Sequence, residues 1–307
     1  MKYFLLKFQR IKLYTFYEIL RYVYDRLYIK IYRILNHDEY GDLLNKAESD
    51  DGNYVSFVKK TLINKYHFKN FKRNPIYRIH LEHVTYRMGL DYLSEIHNIN
   101  SKILDNIDKF IVNDKTGNPI RFYYKSLNKK ISPTTLRYLK VASDIENYFG
   151  NKFDNIVEIG CGYGGQYIVL DKIFEIQNYT FFDLDDVNSL IKKNLEQFNV
   201  MSKYYFGNDT KKIDKIDLLI SNYAFSELPK NLQIKYLEEV ISKSAHGYMT
   251  MNSGLDFNNF LSKKYDETMH DEFKNHLSYS DIKKFIPNCR VVEEKPLTGN
   301  GNYIIIW

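Results

Sequence analysis

The segment Val157-Glu158-Ile159-Gly160-Cys161-Gly162-Tyr163-Gly164-Gly165-Gln166 sets a short apolar run directly before four glycines, and the apolar stretch 167–174 directly after them. A strand that ends in such a turn and passes into a helix opens a βαβ unit, whose strands are parallel and need cover on both faces. Gly160, Gly162 and Gly165 fit the spacing G-x-G-x-x-G, in which missing side chains let the backbone approach a ligand and the next helix offers its N–H groups.

The rest of the C-terminal half agrees with that start. Apolar runs at 156–159, 179–182, 204–206, 218–220, 248–251, 291–292 and 303–306 alternate with amphipathic stretches. This pattern predicts a mainly parallel α/β sheet with helices on both faces, the last two runs forming an antiparallel hairpin at its edge. Ser132 followed by Pro133 predicts the start of a helix running to Phe149, because a proline at the first helical position lacks only an N–H that would be unpaired there. Three regions follow: a basic, aromatic amphipathic helix at 1–36, a helical accessory region at 37–131 that would help bind an acceptor, and an α/β domain at 132–307. Within the middle region, 37–53 and 113–132 read as loops, and the Asn74-Pro75 step separates two helical segments.

Two acids sharpen the glycine turn. Glu158 lies two residues before the first glycine, and Asp183 ends the next apolar run. A carboxylate at a strand tip can accept both hydroxyls of a ribose. Glu158 discriminates between ligands, since an acid there repels a pyrophosphate and attracts an ammonium group.

With Glu158-x-Gly160-x-Gly162-x-Gly164, Phe182-Asp183-Leu184, Gly207-Asn208-Asp209 and 217–222 (Asp-Leu-Leu-Ile-Ser-Asn) in this order, the chain resembles class I S-adenosylmethionine-dependent methyltransferases, on a Rossmann-like sheet, over residues 132–307. A narrower resemblance, to bacterial sugar O-methyltransferases of surface-polysaccharide pathways, rests on 132–138 (Ser-Pro-Thr-Thr-Leu-Arg-Tyr), 221–228 (Ser-Asn-Tyr-Ala-Phe-Ser-Glu-Leu), Glu293-Glu294 and the terminal 302–307. The resemblance implies S-adenosylmethionine as cofactor. Glu158, Gly160, Cys161, Gly162, Gly164 and Gln166 would face its methionine part, Asp183 and Leu184 the ribose side, Asn208 or Asp209 the adenine, and Ser221 and Asn222 the floor near the sulfonium. Arg137, Tyr138 and Tyr223 are the candidates for holding the acceptor.

A sugar hydroxyl must lose its proton on methylation, so a general base is expected. Glu227, a few residues past the fourth strand, is the leading candidate, with a helix-start carboxylate as the bland reading. His270 is the second; His246, before Gly247, reads as a turn residue. Asp266, His270 and Asp271 lack a spacing that fixes metal geometry, so no metal is expected. No G-x-S-x-G, paired-cysteine zinc pattern or Walker loop occurs.

Net charge is +6, and residues 1–35, with eight basic and two acidic groups, account for all of it. A general polyanion-binding surface is therefore not indicated, and nucleic acid is not an expected partner. An aliphatic stripe running from Leu13 through Phe16, Leu20, Val23, Leu27 and Ile31 to Ile34 must be buried against something: an anionic membrane surface, the protein's own helices, or a second copy. Two cysteines, no signal-peptide core and no apolar span of bilayer length point to a cytoplasmic protein, with peripheral contact at the inner membrane face as an option. Two competing classes remain open at this level: a nicotinamide-dependent oxidoreductase using the same turn, and a non-catalytic scaffold that binds a membrane or partner through its basic helix.

Overall fold

The computed structural model describes residues 15–35, 52–207, 215–252, 277–299 and 302–307. Its N-terminal part is helical: α1 (Phe16–Leu35), α2 (Asn53–Ile63), α3 (Pro75–Leu81) and α4 (Tyr86–Asn100), with shorter helical turns between them. Asn74 does more than break the chain before Pro75. Its side chain accepts a hydrogen bond from the Ile76 N–H at 2.9 Å and so caps α3. The stretch 113–132, read from its glycine and proline as loop, contains a small antiparallel hairpin, β1 (Phe122–Tyr124) with β2 (Lys129–Ile131). Three-residue strands are too short to show a period, and only the packing of Tyr124 and Ile131 into the core reveals them.

Helix α5 (Pro133–Phe149) begins where Ser132 accepts from the Thr135 N–H at 3.1 Å and ends at Gly150, whose φ is +84°. The sheet follows: β3 (Lys152–Ile159), β4 (Glu175–Phe182), β5 (Lys203–Phe206), β6 (Ile216–Asn222), β7 (Ser244–Met251), β8 (Arg290–Glu293) and β9 (Tyr303–Ile306), in the spatial order β5-β4-β3-β6-β7-β9-β8. The first five pair in parallel, while β9 runs antiparallel between β7 and β8. The expected antiparallel pair is thus present, with β8 rather than β9 at the edge.

Two apolar clusters cover the sheet, as a parallel sheet requires. One face packs Ile156, Tyr179 and Leu218 with α5, with α6 (Gly165–Leu170) and α7 (Asp185–Leu195), and with the N-terminal helices through Phe57, Ile76 and Tyr92. The other packs Val157, Leu219 and Met249 with α8 (Ala224–Glu227), α9 (Lys230–Glu239) and α10 (Tyr279–Phe285) through Phe225, Leu237 and Ile282. The chain leaves β3 towards β4 and β5 on one side and returns to β6 and β7 on the other. The C-terminal tips of β3 and β6 therefore flank the switch point, where open α/β sheets form their ligand crevice.

Candidate functional site

Gly160, Gly162 and Gly164 have φ of +76°, +59° and +76°, values that only glycine adopts at low cost. The turn they make is held from outside by Asp183 at the tip of β4. Its Oδ2 accepts from the Cys161 N–H at 2.7 Å and the Gly162 N–H at 3.0 Å, and its Oδ1 from the Leu184 N–H at 2.8 Å. Burial nevertheless raises this carboxyl to about 6 against the three donors. Glu158 lies on β3, two residues before the turn, where Tyr179 donates its hydroxyl to Oε2 at 2.8 Å, and burial pushes the Glu158 carboxyl up to about 8. Among the described residues no Lys, Arg or His pairs with either acid. The crevice therefore sets two buried acids around a backbone turn and, among the described residues, gives neither of them a cation.

Four of the turn's N–H donors are committed within the protein. Besides the two N–H groups given to Asp183, those of Gly160 and Gly164 bond to Phe182 O at 2.9 Å and Cys161 O at 3.0 Å.

The other residues expected at the cofactor divide into two groups. Leu184, 47% exposed, presents an apolar surface beside Asp183, and Asn222 is half-buried at the tip of β6. Cys161 and Gln166 face inward instead: the thiol lies against Glu158 O at 3.1 Å, and Gln166 donates to Tyr138 O at 3.1 Å while its carbonyl oxygen, buried, has no partner. Ser221 departs from expectation. It is wholly buried, donates to Ile159 O at 3.0 Å and accepts from the Phe225 N–H at 3.1 Å, so it braces β3 against α8 and does not line a floor. Asn208, Asp209 and His270, like Asp266 and Asp271, lie outside the described residues.

Beside the turn, Tyr92 of α4, Arg137 and Tyr138 of α5, Asn222, Tyr223 and Glu294 line a recess of about 20 Å³. That is room for one water-sized group. The Arg137 guanidinium, nearly buried, donates to Leu81 O at 3.3 Å and lies over the rings of Tyr138 and Tyr223, at 5.5 and 5.9 Å from their centres. Tyr138 also packs on Tyr163, and burial pushes its hydroxyl up to about 12. Tyr223 has φ +67°, a strained value for a side chain of this size, and the strain turns its hydroxyl onto Glu294 Oε1. Glu294 also accepts from the Thr298 N–H at 2.9 Å and the Thr298 hydroxyl at 2.7 Å, and burial raises its carboxyl. The Tyr92 hydroxyl is buried in the same recess, beside the Tyr223 hydroxyl.

Sequence reasoning missed Tyr92 and passed over Glu294 as a base, although its place one residue past a short apolar run could have marked it as a strand-tip acid. Glu227 is not among the residues lining the recess; it accepts from Asn252 Nδ2 at 2.9 Å. His246, expected in a turn, sits within β7 and stacks on Phe149 with ring centres 4.9 Å apart. It lines a larger recess of about 530 Å³ with Lys152, Glu175 and Asp217, at the starts of the strands and so at the edge opposite the glycine turn. Its position removes it from any chemistry at the switch point.

No protein-family model and no curated protein matches the chain. Solved structures similar to it include magnesium protoporphyrin IX methyltransferase from Synechocystis PCC 6803 with bound SAH (13% identity, 55% of this chain and 80% of that one, TM-score 0.40). Others are the N-methyltransferase NodS from Bradyrhizobium japonicum WM9 in complex with S-adenosyl-L-homocysteine (11%, 55% and 83%, TM-score 0.38) and an S-adenosylmethionine-dependent methyltransferase from Clostridium acetobutylicum ATCC 824 (12%, 50% and 83%, TM-score 0.36). The functional reading rests on the geometry above.

Proposed function

We propose that this protein is an S-adenosylmethionine-dependent O-methyltransferase whose acceptor is a sugar hydroxyl in a glycan or nucleotide-sugar pathway. The observation that carries the cofactor is the pair of buried acids, Glu158 and Asp183, around a glycine turn at the switch point with no cationic side chain among the described residues against them. A ligand bearing ammonium and sulfonium charges favours the ionised form of both acids, whereas a dinucleotide pyrophosphate disfavours it. Glu158 would meet the ammonium group, Asp183 the ribose hydroxyls and Leu184 the base. When bound, S-adenosylmethionine supplies an activated methyl group on a neutral leaving group. The protein's own work is then to align the acceptor oxygen, take its proton and keep water out.

The recess suits that work. It admits a hydroxyl, it is walled by Tyr138 and Tyr223, and it carries a donor in Arg137, a buried hydroxyl in Tyr92 and a carboxylate in Glu294. Glu294, whose basicity is raised by burial, is the base we assign. Glu227 is the second candidate, because it follows the C-terminal tip of β6 on the same sheet edge. Arg137 would orient the acceptor against Tyr223. The resemblance over 132–138, 221–228 and 293–294 supports the sugar acceptor, and we extend the functional division to 37–131 as the acceptor-side region, since α4 brings Tyr92 to the recess.

Calorimetric titration with S-adenosylhomocysteine and with NAD tests the cofactor. Binding of the first and not the second is expected, whereas tight NAD binding without a response to S-adenosylhomocysteine overturns the reading in favour of an oxidoreductase. Turnover with a panel of sugar, nucleotide-sugar and lipid-linked acceptors tests the substrate, and cofactor binding without methylation of any of them leaves the scaffold reading.

A further inference from the structure

Helix α1 docks by its polar side. Glu18 and Asp25 are the only acids in residues 15–35, and both are buried against the body of the protein. Glu18 accepts from the Tyr86 N–H at 2.7 Å and the Thr15 N–H at 2.8 Å, and Asp25 accepts from Arg78, from Nε at 2.9 Å and through a second, shorter contact from Nη2. Ile29 is buried on the same side. At about 100° per residue these three positions fall within about 40° of one another, and Phe16, Leu20, Val23, Leu27 and Ile31 fall on the opposite side of the helix. Each of those five is at least 51% exposed. Five of the seven stripe residues expected to be buried are therefore displayed, along roughly 22 Å of helix, while Leu13 and the Ile34 side chain lie outside the described residues. Exposed Arg26 and Lys30 lie on one flank of the stripe and exposed Tyr17 and Tyr24 on the other.

We infer that this face of α1 seats the protein on an anionic membrane surface, lying in the interface without crossing it. No helix among the described residues is long and apolar enough to span a bilayer. The charge arrangement selects the occupant. Docking consumes both acids, so the free face carries apolar groups, tyrosines and cations, which is the composition an interfacial helix uses: aliphatic groups among the acyl chains, tyrosines at headgroup level and basic groups on anionic phosphates. A second copy fits less well, because pairing the seam Phe16-Leu20-Val23-Leu27 would set Arg26 and Lys30 of one helix beside those of the other with no acid from residues 15–35 left to answer them. This inference is independent of the chemistry at the glycine turn.

Sedimentation of the full chain with vesicles of neutral phosphatidylcholine, or with about a third anionic phosphatidylglycerol, tests it, with mass measured by light scattering. Binding is expected only to the anionic vesicles and should weaken with salt. Leu20→Gln with Leu27→Gln should abolish it, and Arg26→Gln with Lys30→Gln should reduce it roughly tenfold or more. These positions are exposed, so an unchanged melting temperature verifies the fold of each variant. Failure of the wild-type chain to sediment with anionic vesicles overturns the inference. So does a dimer that Leu20→Gln with Leu27→Gln converts to monomer while vesicle binding is absent, which would assign the face to a second copy.

Discussion

Asp183 Oδ2 lies 2.7 Å from the backbone nitrogen of Cys161, so the acid at the tip of β4 and the glycine turn after β3 form one unit. The same carboxylate holds the turn and faces the crevice.

Substituting Asp183 should therefore affect stability and ligand affinity together. Asp183→Ala leaves the Cys161 and Gly162 N–H groups without their acceptor, and a loss of ~1–3 kcal/mol is expected, with S-adenosylhomocysteine affinity falling by a comparable amount. Asp183→Asn retains one acceptor oxygen and should recover part of the stability but little of the affinity. Thermal melts and calorimetry on the two variants separate the two roles.

Cofactor binding should be linked to pH through Glu158. Its carboxyl is raised to about 8 by burial from an ordinary 4.5, so the unliganded folded protein holds a proton there that the unfolded chain has lost. Its contribution to stability is full below about 4.5 and declines as pH rises through about 8. A cationic ligand favours the carboxylate, hence binding below pH 8 releases a proton and strengthens by up to about tenfold per pH unit before levelling off above it. Titrations in buffers of different ionisation enthalpy measure that proton directly, and a pH-independent affinity between 6 and 8 would contradict the assignment.

Glu294→Gln should keep the shape of the recess and its contact with Tyr223 while lowering turnover by ~100-fold or more, with S-adenosylhomocysteine affinity unchanged. The parallel variant Glu227→Gln should stay within about tenfold of wild type. If the larger loss falls on Glu227→Gln, the base is Glu227.

Gly160 has a second constraint beyond its φ of +76°. A methyl group there would stand 2.0 Å from the Cβ of Ala224. Gly160→Ala should cost at least ~2 kcal/mol, of which the backbone share is ~1–2 kcal/mol. Adding Ala224→Gly removes the clash but not the backbone strain. The double variant should accordingly be more stable than Gly160→Ala alone in denaturant titrations, and equal stability would place the whole penalty in the backbone.

Much of this protein is set by local pattern. The seven strand runs, the cap at Ser132 and the glycine turn are short-range features, and each was legible because apolar period, proline and glycine act within a few residues of themselves. Glu158 and Asp183 were legible for the same reason, as acids at the ends of strands. What the tertiary structure decided depends on contacts between distant segments. Ser221 was expected to face a ligand and instead bonds Ile159 O, 62 positions away. Glu294 became the carboxylate of the recess because β8 runs parallel to β7 two places across the sheet, which brings it against Tyr223, 71 positions away. Helix α1 shows the difference most plainly. Its apolar stripe was readable from period alone, but period cannot say which face docks. That was decided by Arg78 and the Tyr86 N–H, groups that would be left unpaired in the protein interior without Asp25 and Glu18, and whose unmet desolvation outweighs the hydrophobic gain of turning the stripe inward.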